Sequence, residues 1–201
     1  MKYFPPSDHI YYKDTDIPVN KFDIHDLELL ETIELEQLEN AYAYFHKSMN
    51  EETKFDLDYF KEVHKQTFSF LFPWAGVFRE VNISKGSSLF CPAINLYSYA
   101  NDIFKELEQE NYVRDCSEVS KEHFAKRLAY YACELIVLHP FNEGNGRATR
   151  VFLDMIATYN GYDYVDYESS VQGEGYINAS IDCMSADCDA MEKIILNGLK
   201  A

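Results

Sequence analysis

The stretch HPFNEGNGRATR, residues 139–150, gathers a histidine, a carboxylate, a Gly-Asn-Gly turn and two arginines. A glycine-rich loop entering a helix offers unpaired backbone N–H groups and the positive end of the helix dipole, a physical recipe for holding phosphate. Gly144 and Gly146 permit the turns, and Asn145 adds a side-chain donor. Arg147 and Arg150 stand three apart, so they share one helical face where two guanidiniums can grip successive phosphates. Glu143 makes little sense beside phosphate unless a cation lies between them, and Mg²⁺ commonly binds through one carboxylate plus phosphate oxygens. His139, with a reference pKa of roughly 6.5, can take a proton from an incoming hydroxyl near neutral pH. These are the parts needed for phosphoryl or nucleotidyl transfer to an alcohol.

Such a loop needs two helices to hold it. SEVSKEHFAKRLAYYACELIVLH runs into the motif with a nearly continuous apolar end, which predicts a central, buried helix. Pro140 cannot continue it, residues 141–146 are expected as loop, and RATRVFLDMIATYNG is helical again up to Gly161. Upstream, IHDLELLETIELEQLENAYAYFHKSM has helical spacing, and DLDYFKEVHKQTFSFLF opens on Asp56 as an N-cap. In VFREVNISKGSSLFCP the alternation around residues 77–83, then SKGSS, then LFC, predicts two short strands joined by a turn. NLYSYANDIFKELEQE resumes as a helix capped by Asn95. Residues 1–22, with Pro5, Pro6 and Pro18, form an irregular N-terminal arm, and residues 23–201 a single domain.

HPFNEGNGRATR resembles the signature of the Fic family, HPFx[D/E]GNGRxxR, at every specified position. DIPVNKFDIHDLELLE is similar to the family's entry segment, and PWAGVFREVNISKG to the stretch leading into its flap hairpin. The resemblance implies a mostly α fold, a Fic-type helical bundle with a short β-hairpin flap over the active site, and transfer of AMP from Mg-ATP to a hydroxyl of a target protein. It makes His139 the base and Glu143 the Mg²⁺ ligand. Nucleotide contacts fall to Lys85 and Gly86 on the flap, to Asn142, Gly144, Asn145 and Gly146 in the loop, and to Arg147 for the β- and Arg150 for the γ-phosphate. The adenine would lie near Tyr176 and Asn178, and the flap's edge strand would pair with the target segment. In the family's phosphotransferase branch lysine replaces the second glycine, so Gly146 favours AMP transfer. Transfer of another nucleotide, removal of AMP, and a nucleotide-gated binding module without turnover are the rival readings. The family's inhibitory pattern [S/T]xxxE[G/N] has a literal match in SVQGEG, 170–175, read as accidental; inhibition then falls to a small antitoxin docking on the N-terminal helix region.

Composition narrows the setting. A net charge of −16 over 201 residues argues against general nucleic-acid or anionic-membrane binding. The five cysteines form no CxxC pair and read as free thiols of a reducing compartment; with no signal-peptide or membrane-span pattern, the expected location is the cytoplasm. His64, on an apolar helix, reads as a hydrogen-bonded structural residue, and no His/Cys spacing suggests zinc.

Overall fold

Capping side chains set where three helices begin. Asp26, Asp56 and Ser120 accept from the N–H groups of Leu29, Tyr59 and His123, opening α1 (Leu27–Ser48), α2 (Leu57–Phe68) and α5 (Lys121–Leu138). The computed structural model describes residues 10–167 and 174–200. Its other helices are α3 (Leu96–Gln109), α4 (Arg114–Val119), α6 (Asn145–Tyr159), α7 (Gly175–Cys183) and α8 (Asp189–Gly198). Asn95 stands at the start of α3, as its sequence predicts, but its side chain makes no capping bond. The fold is mostly α, and the described residues include an antiparallel hairpin of β1 (Ser84–Lys85) and β2 (Ser88–Leu89).

The apolar run of α5 becomes the centre of the core. Phe124, Leu128, Tyr131, Leu135 and Leu138 are buried, and the helix packs against α3, α4, α6, α7 and α8. Burying side chains of this size stabilises by about 1.5–3 kcal/mol each before ordering costs. α6 lies against α2 and α5 with Ala148, Phe152 and Ile156 turned inward, and α1 covers α2 and α6. Within the arm, residues 10–22 form a turn closed by the Tyr11–Pro18 bridge. The N–H of Lys21 bonds the Leu71 carbonyl at 2.8 Å and ties the arm to the end of α2. No helix among the described residues is long and apolar enough to cross a membrane.

The hairpin is present but shifted from its expected place. The paired residues lie inside SKGSSL; residues 77–82 stay out of the ladder, and Ile83 lends it its carbonyl, which accepts from Phe90 N–H at 3.4 Å. The reason is competition for backbone donors: Arg79 N–H bonds Pro140 O at 2.8 Å and Cys91 N–H bonds Val137 O at 2.9 Å, so both flanks are drawn onto the end of α5. Gly86, at φ 61, takes the first central position of the two-residue turn, where a II′ geometry needs glycine.

The expectation that all cysteines are free thiols is corrected. Cys133 on α5 and Cys183 at the end of α7 are disulfide-bonded with Cα atoms 4.9 Å apart, both buried; Cys91 and Cys188 are free. A separation of 50 residues carries no pairing pattern, and the bond follows from α5–α7 packing that only the fold reveals. Closing a loop of that length stabilises by about 4 kcal/mol in the chain-entropy picture. Reduction with a strong dithiol should therefore lower the unfolding free energy by roughly 2–4 kcal/mol, read as a shifted urea midpoint, and Cys133→Ala/Cys183→Ala should show the same midpoint with or without reductant.

Candidate active site

The site begins where α5 stops. His139 takes a left-handed conformation, φ 43 and ψ 58, with its N–H on the Leu135 carbonyl at 3.1 Å, and Pro140 prevents further helix. The Phe141 ring is fully buried, stacked on the His64 ring at 3.7 Å and set against Phe60 and Phe78. Gly144 closes the loop at φ 76, and a Cβ there would stand 2.5 Å from the Phe68 ring. Both facts require glycine.

α6 then starts at Asn145, two residues earlier than the sequence suggests, with Gly144 as N-cap. The Asn145 carboxamide accepts from Phe141 N–H and donates to Phe141 O, both at 2.8 Å, and is buried. This corrects its expected part as a side-chain donor to phosphate: the amide braces the loop, and what Asn145 can offer an anion is its backbone N–H. That bracing is why a helix begins at a residue that reads as turn.

Two residues far away in sequence hold the loop from outside. His64 on α2 donates from Nε2 to the Glu143 carbonyl at 2.9 Å, while Nδ1 accepts from Gly76 N–H at 2.9 Å. Burial pushes its pKa down to about 3, so the ring is neutral and its two nitrogens have opposite roles. Arg79 sends Nε to the His139 carbonyl at 2.8 Å, Nη1 to Val81 O at 2.7 Å and Nη2 to Cys91 O at 2.6 Å, sewing the flap's root to the end of α5. The structural reading of His64 holds, with the addition that its structure is that of the motif loop.

His139 donates from Nδ1 to the Ile136 carbonyl at 3.1 Å, which puts the basic lone pair of the neutral ring on Nε2. Phe90 stacks on the imidazole at 3.7 Å. Burial lowers its pKa to about 3, and the charges of Arg79 and Lys85 push the same way.

Glu143, Lys85 and Arg147 meet at a cleft of about 250 Å³, whose other wall is Tyr11, Asp16 and Pro18 from the arm and Leu30 and Glu34 from α1. Arg147 pairs with the buried Glu34 at 2.5 Å and lies over the Phe68 ring. Tyr11 donates its phenol proton to Glu143 Oε1, and Gly144 N–H bonds Oε2 at 3.3 Å. Burial raises the Glu143 pKa, opposed by those two hydrogen bonds and by the charges of Lys85 and Arg147.

Arg150 faces differently from Arg147. It lines a second cavity of about 390 Å³ with Tyr42, His46 and Asp154, and its guanidinium packs on Tyr176. Its Nη1 nevertheless comes within 3.7 Å of a Cβ built on Gly146, so it reaches back toward the loop. Asn142 is half-buried in the loop and Gly86 exposed at the hairpin tip. Tyr176 is buried between Arg150 and Tyr167, with Asn178 exposed on the same helix. Of SVQGEG, residues 170–173 lie outside the described residues; Glu174 is exposed at the head of α7 at φ 59, and among the described residues no ion pair joins it to Arg150. Tyr11, Glu34 and Arg79 were not found from the sequence. No motif marks them, since each is separated from its partner by 60 or more residues.

The pattern of the Fic/DOC family matches residues 54–157. The chain is 36% identical over 169 residues to the protein adenylyltransferase VbhT of Bartonella schoenbuchensis, covering 82% of this chain and 34% of that protein. It is 38% identical over 106 residues to a probable protein adenylyltransferase Fic of Escherichia coli, covering 53% of this chain and 52% of that protein. A crystal structure of the BepC protein of Bartonella tribocorum, with bound AMPPNP, shares the fold with a TM-score of 0.81 at 22% identity, over 96% of this chain and 97% of that one. The chain belongs to the Fic/DOC family. It spans about a third to a half of the length of the two curated relatives.

The depressed pKa of His139 has a sign that can be checked. The unfolded ring takes up a proton below roughly pH 6.5, whereas the folded ring resists down to about 3. Its contribution to stability is therefore complete above pH 6.5 and lost as pH falls toward 3. The expected outcome in a histidine NMR titration is no protonation of the His139 ring between pH 8 and 5; a midpoint near 6.5 would contradict the buried, neutral ring.

Proposed function

We propose that this chain is a protein adenylyltransferase that moves AMP from Mg-ATP to a side-chain hydroxyl of a target protein. The observation that carries the reading is the joining of His139, with its basic lone pair on Nε2, to the Gly144–Gly146 turn through one braced loop at the start of α6. The names of the relatives support it. Residues 23–201 make the Fic domain in this reading, with 1–22 as its arm.

In the transfer, the hydroxyl oxygen forms a bond to the α-phosphorus, the bond from that phosphorus to the bridging oxygen breaks, and pyrophosphate leaves. His139 Nε2 receives the hydroxyl proton. The negative phosphates raise the proton affinity of a ring that burial, helped by Arg79 and Lys85, holds low. Backbone N–H groups of Asn145 and Gly146 at the N-terminus of α6 bind phosphate oxygens, while Gly144 N–H stays on Glu143 Oε2. Arg147 takes the β-phosphate, and Arg150 turns from Tyr176 to the γ-phosphate.

The donor set fits Mg²⁺ arriving with the nucleotide. Glu143 presents one carboxylate to a cleft it shares with Arg147, and among the described residues no group of three or more His, Cys, Asp or Glu side chains is placed to hold a metal alone. The ion would neutralise charge between the phosphates there.

Lys85 lines the cleft, and in this reading the edge of the hairpin that carries it receives the target segment. A small inhibitory protein on the N-terminal helix region belongs to the same reading, supported by Leu27 at the cleft mouth and the exposed Leu29 and Leu35. The cytoplasm, where Mg-ATP is supplied, is the proposed location; the Cys133–Cys183 bond removes the cysteine argument for it.

With α-labelled ATP and lysate, label should enter protein, while γ-labelled ATP should leave protein unlabelled. His139→Ala should lower transfer by 10²-fold or more while leaving nucleotide affinity within a few-fold. Protein labelled only from the γ-position would sink the reading. Glu174→Gly should leave autoadenylylation within twofold and slightly raise the melting temperature, because glycine tolerates φ 59 better. A large gain in activity would restore SVQGEG as an inhibitory element.

A further inference from the structure

The family pattern covers residues 54–157, yet one wall of the cleft is built by residues outside it. In that wall Glu34 pairs with Arg147 of the motif, and Tyr11 touches its Glu143. Tyr11 is 7% exposed, is held by the backbone bridge to Pro18, and its phenol meets the Glu143 carboxylate 132 residues later in the chain. The arm that delivers it is fixed by Val19 N–H on the Ile10 carbonyl at 2.8 Å, Tyr12 N–H on the Ile17 carbonyl at 2.9 Å and Lys21 N–H on the Leu71 carbonyl at 2.8 Å.

An ionised carboxylate only accepts, so the phenol is the donor. Glu143 has two oxygens with about four lone-pair sites. Tyr11 uses one on Oε1 and Gly144 N–H one on Oε2, which fixes the plane of the carboxylate and leaves acceptor capacity on both oxygens. The backbone of the same residue is fixed by His64 at its carbonyl. Glu143 is thus restrained at its main chain and at both carboxylate oxygens. A group restrained in this way meets a cation with little ordering cost, the usual service of an outer partner to a metal ligand.

We propose that Tyr11 is a positioning residue for the metal-binding carboxylate: its phenol holds Glu143 in the orientation that receives the divalent cation with the nucleotide, so the N-terminal arm is a working part of the active site. The proposal rests on the reading that Glu143 binds Mg²⁺, and the test separates the two. In the full chain, Tyr11→Phe keeps the ring and the backbone bridge and removes the hydrogen bond to Glu143. Mn²⁺ is titrated by electron paramagnetic resonance in the presence of a non-hydrolysable ATP analogue, with Glu143→Ala as control.

Tyr11→Phe should weaken Mn²⁺ binding about tenfold, leave affinity for the analogue in chelator unchanged, and return to wild-type turnover at saturating Mg²⁺, a rescue that a misfolded variant would not show. Unchanged Mn²⁺ affinity would reduce Tyr11 to packing, and tighter Mn²⁺ binding would make it a block on the carboxylate; either result overturns the proposal. If Glu143→Ala binds Mn²⁺ like the wild type, the metal lies elsewhere and both readings fall together.

Discussion

The burial of the Phe141 ring is the constraint on which the cleft depends. With its ring stacked on His64 and enclosed by Phe60 and Phe78, the loop between α5 and α6 has an anchor point inside the core, so its backbone cannot drift outward. The Asn145 carboxamide closes on that same residue from the helix side, and His64 reaches past it to the Glu143 carbonyl. His139 and Gly144 stand on either side in left-handed conformations, which ordinary residues adopt at a cost. Core packing supplies the energy that holds these turns, and the functional groups inherit their positions from it.

The electrostatics are local against an adverse background. A chain with a net charge of −16 repels a nucleotide at long range, and screening over about 8 Å at physiological salt reduces that field to what the cleft itself presents. There Lys85 and Arg147 share the cleft with Asp16, Glu31, Glu34 and Glu143, so in the proposed reading a phosphate relies on the amides at the head of α6 and on the cation it brings to Glu143. Acidic residues over the rest of the surface are compatible with anion chemistry at one site because the two act at different distances.

What could be read in the sequence follows how local the physics is. The helix start at Asp56 is decided by a hydrogen bond within three residues, and the buried run of α5 by apolar side chains alone. The motif was legible as a cluster because its residues stand together within 139–150. The hairpin was displaced because Arg79 and Cys91 give their N–H groups to Pro140 and Val137, a choice no alternation pattern encodes. The α5–α7 disulfide, the arm's phenol on Glu143 and the Glu34–Arg147 pair join residues 50 to 132 positions apart, and spacing carries nothing about such meetings. The start of α6 at Asn145 was missed for a related reason: a Gly-Asn-Gly turn is read as loop until its amide is seen to bind back on Phe141.

The Glu34–Arg147 pair shows how such a cleft remains stable when no ligand fills it. A guanidinium left unpaired in a partly buried wall would cost desolvation energy without return. Glu34, itself buried on α1, supplies the counter-charge at Nη1 and leaves the remaining donors of the guanidinium fork available. In the proposed reading a phosphate is added to Arg147 without first breaking the pair, whereas a phosphate that replaced Glu34 would leave a buried carboxylate uncompensated. Addition is therefore the cheaper course, and it places α1, outside the motif by more than a hundred residues, among the elements that set how strongly Arg147 pulls on an anion.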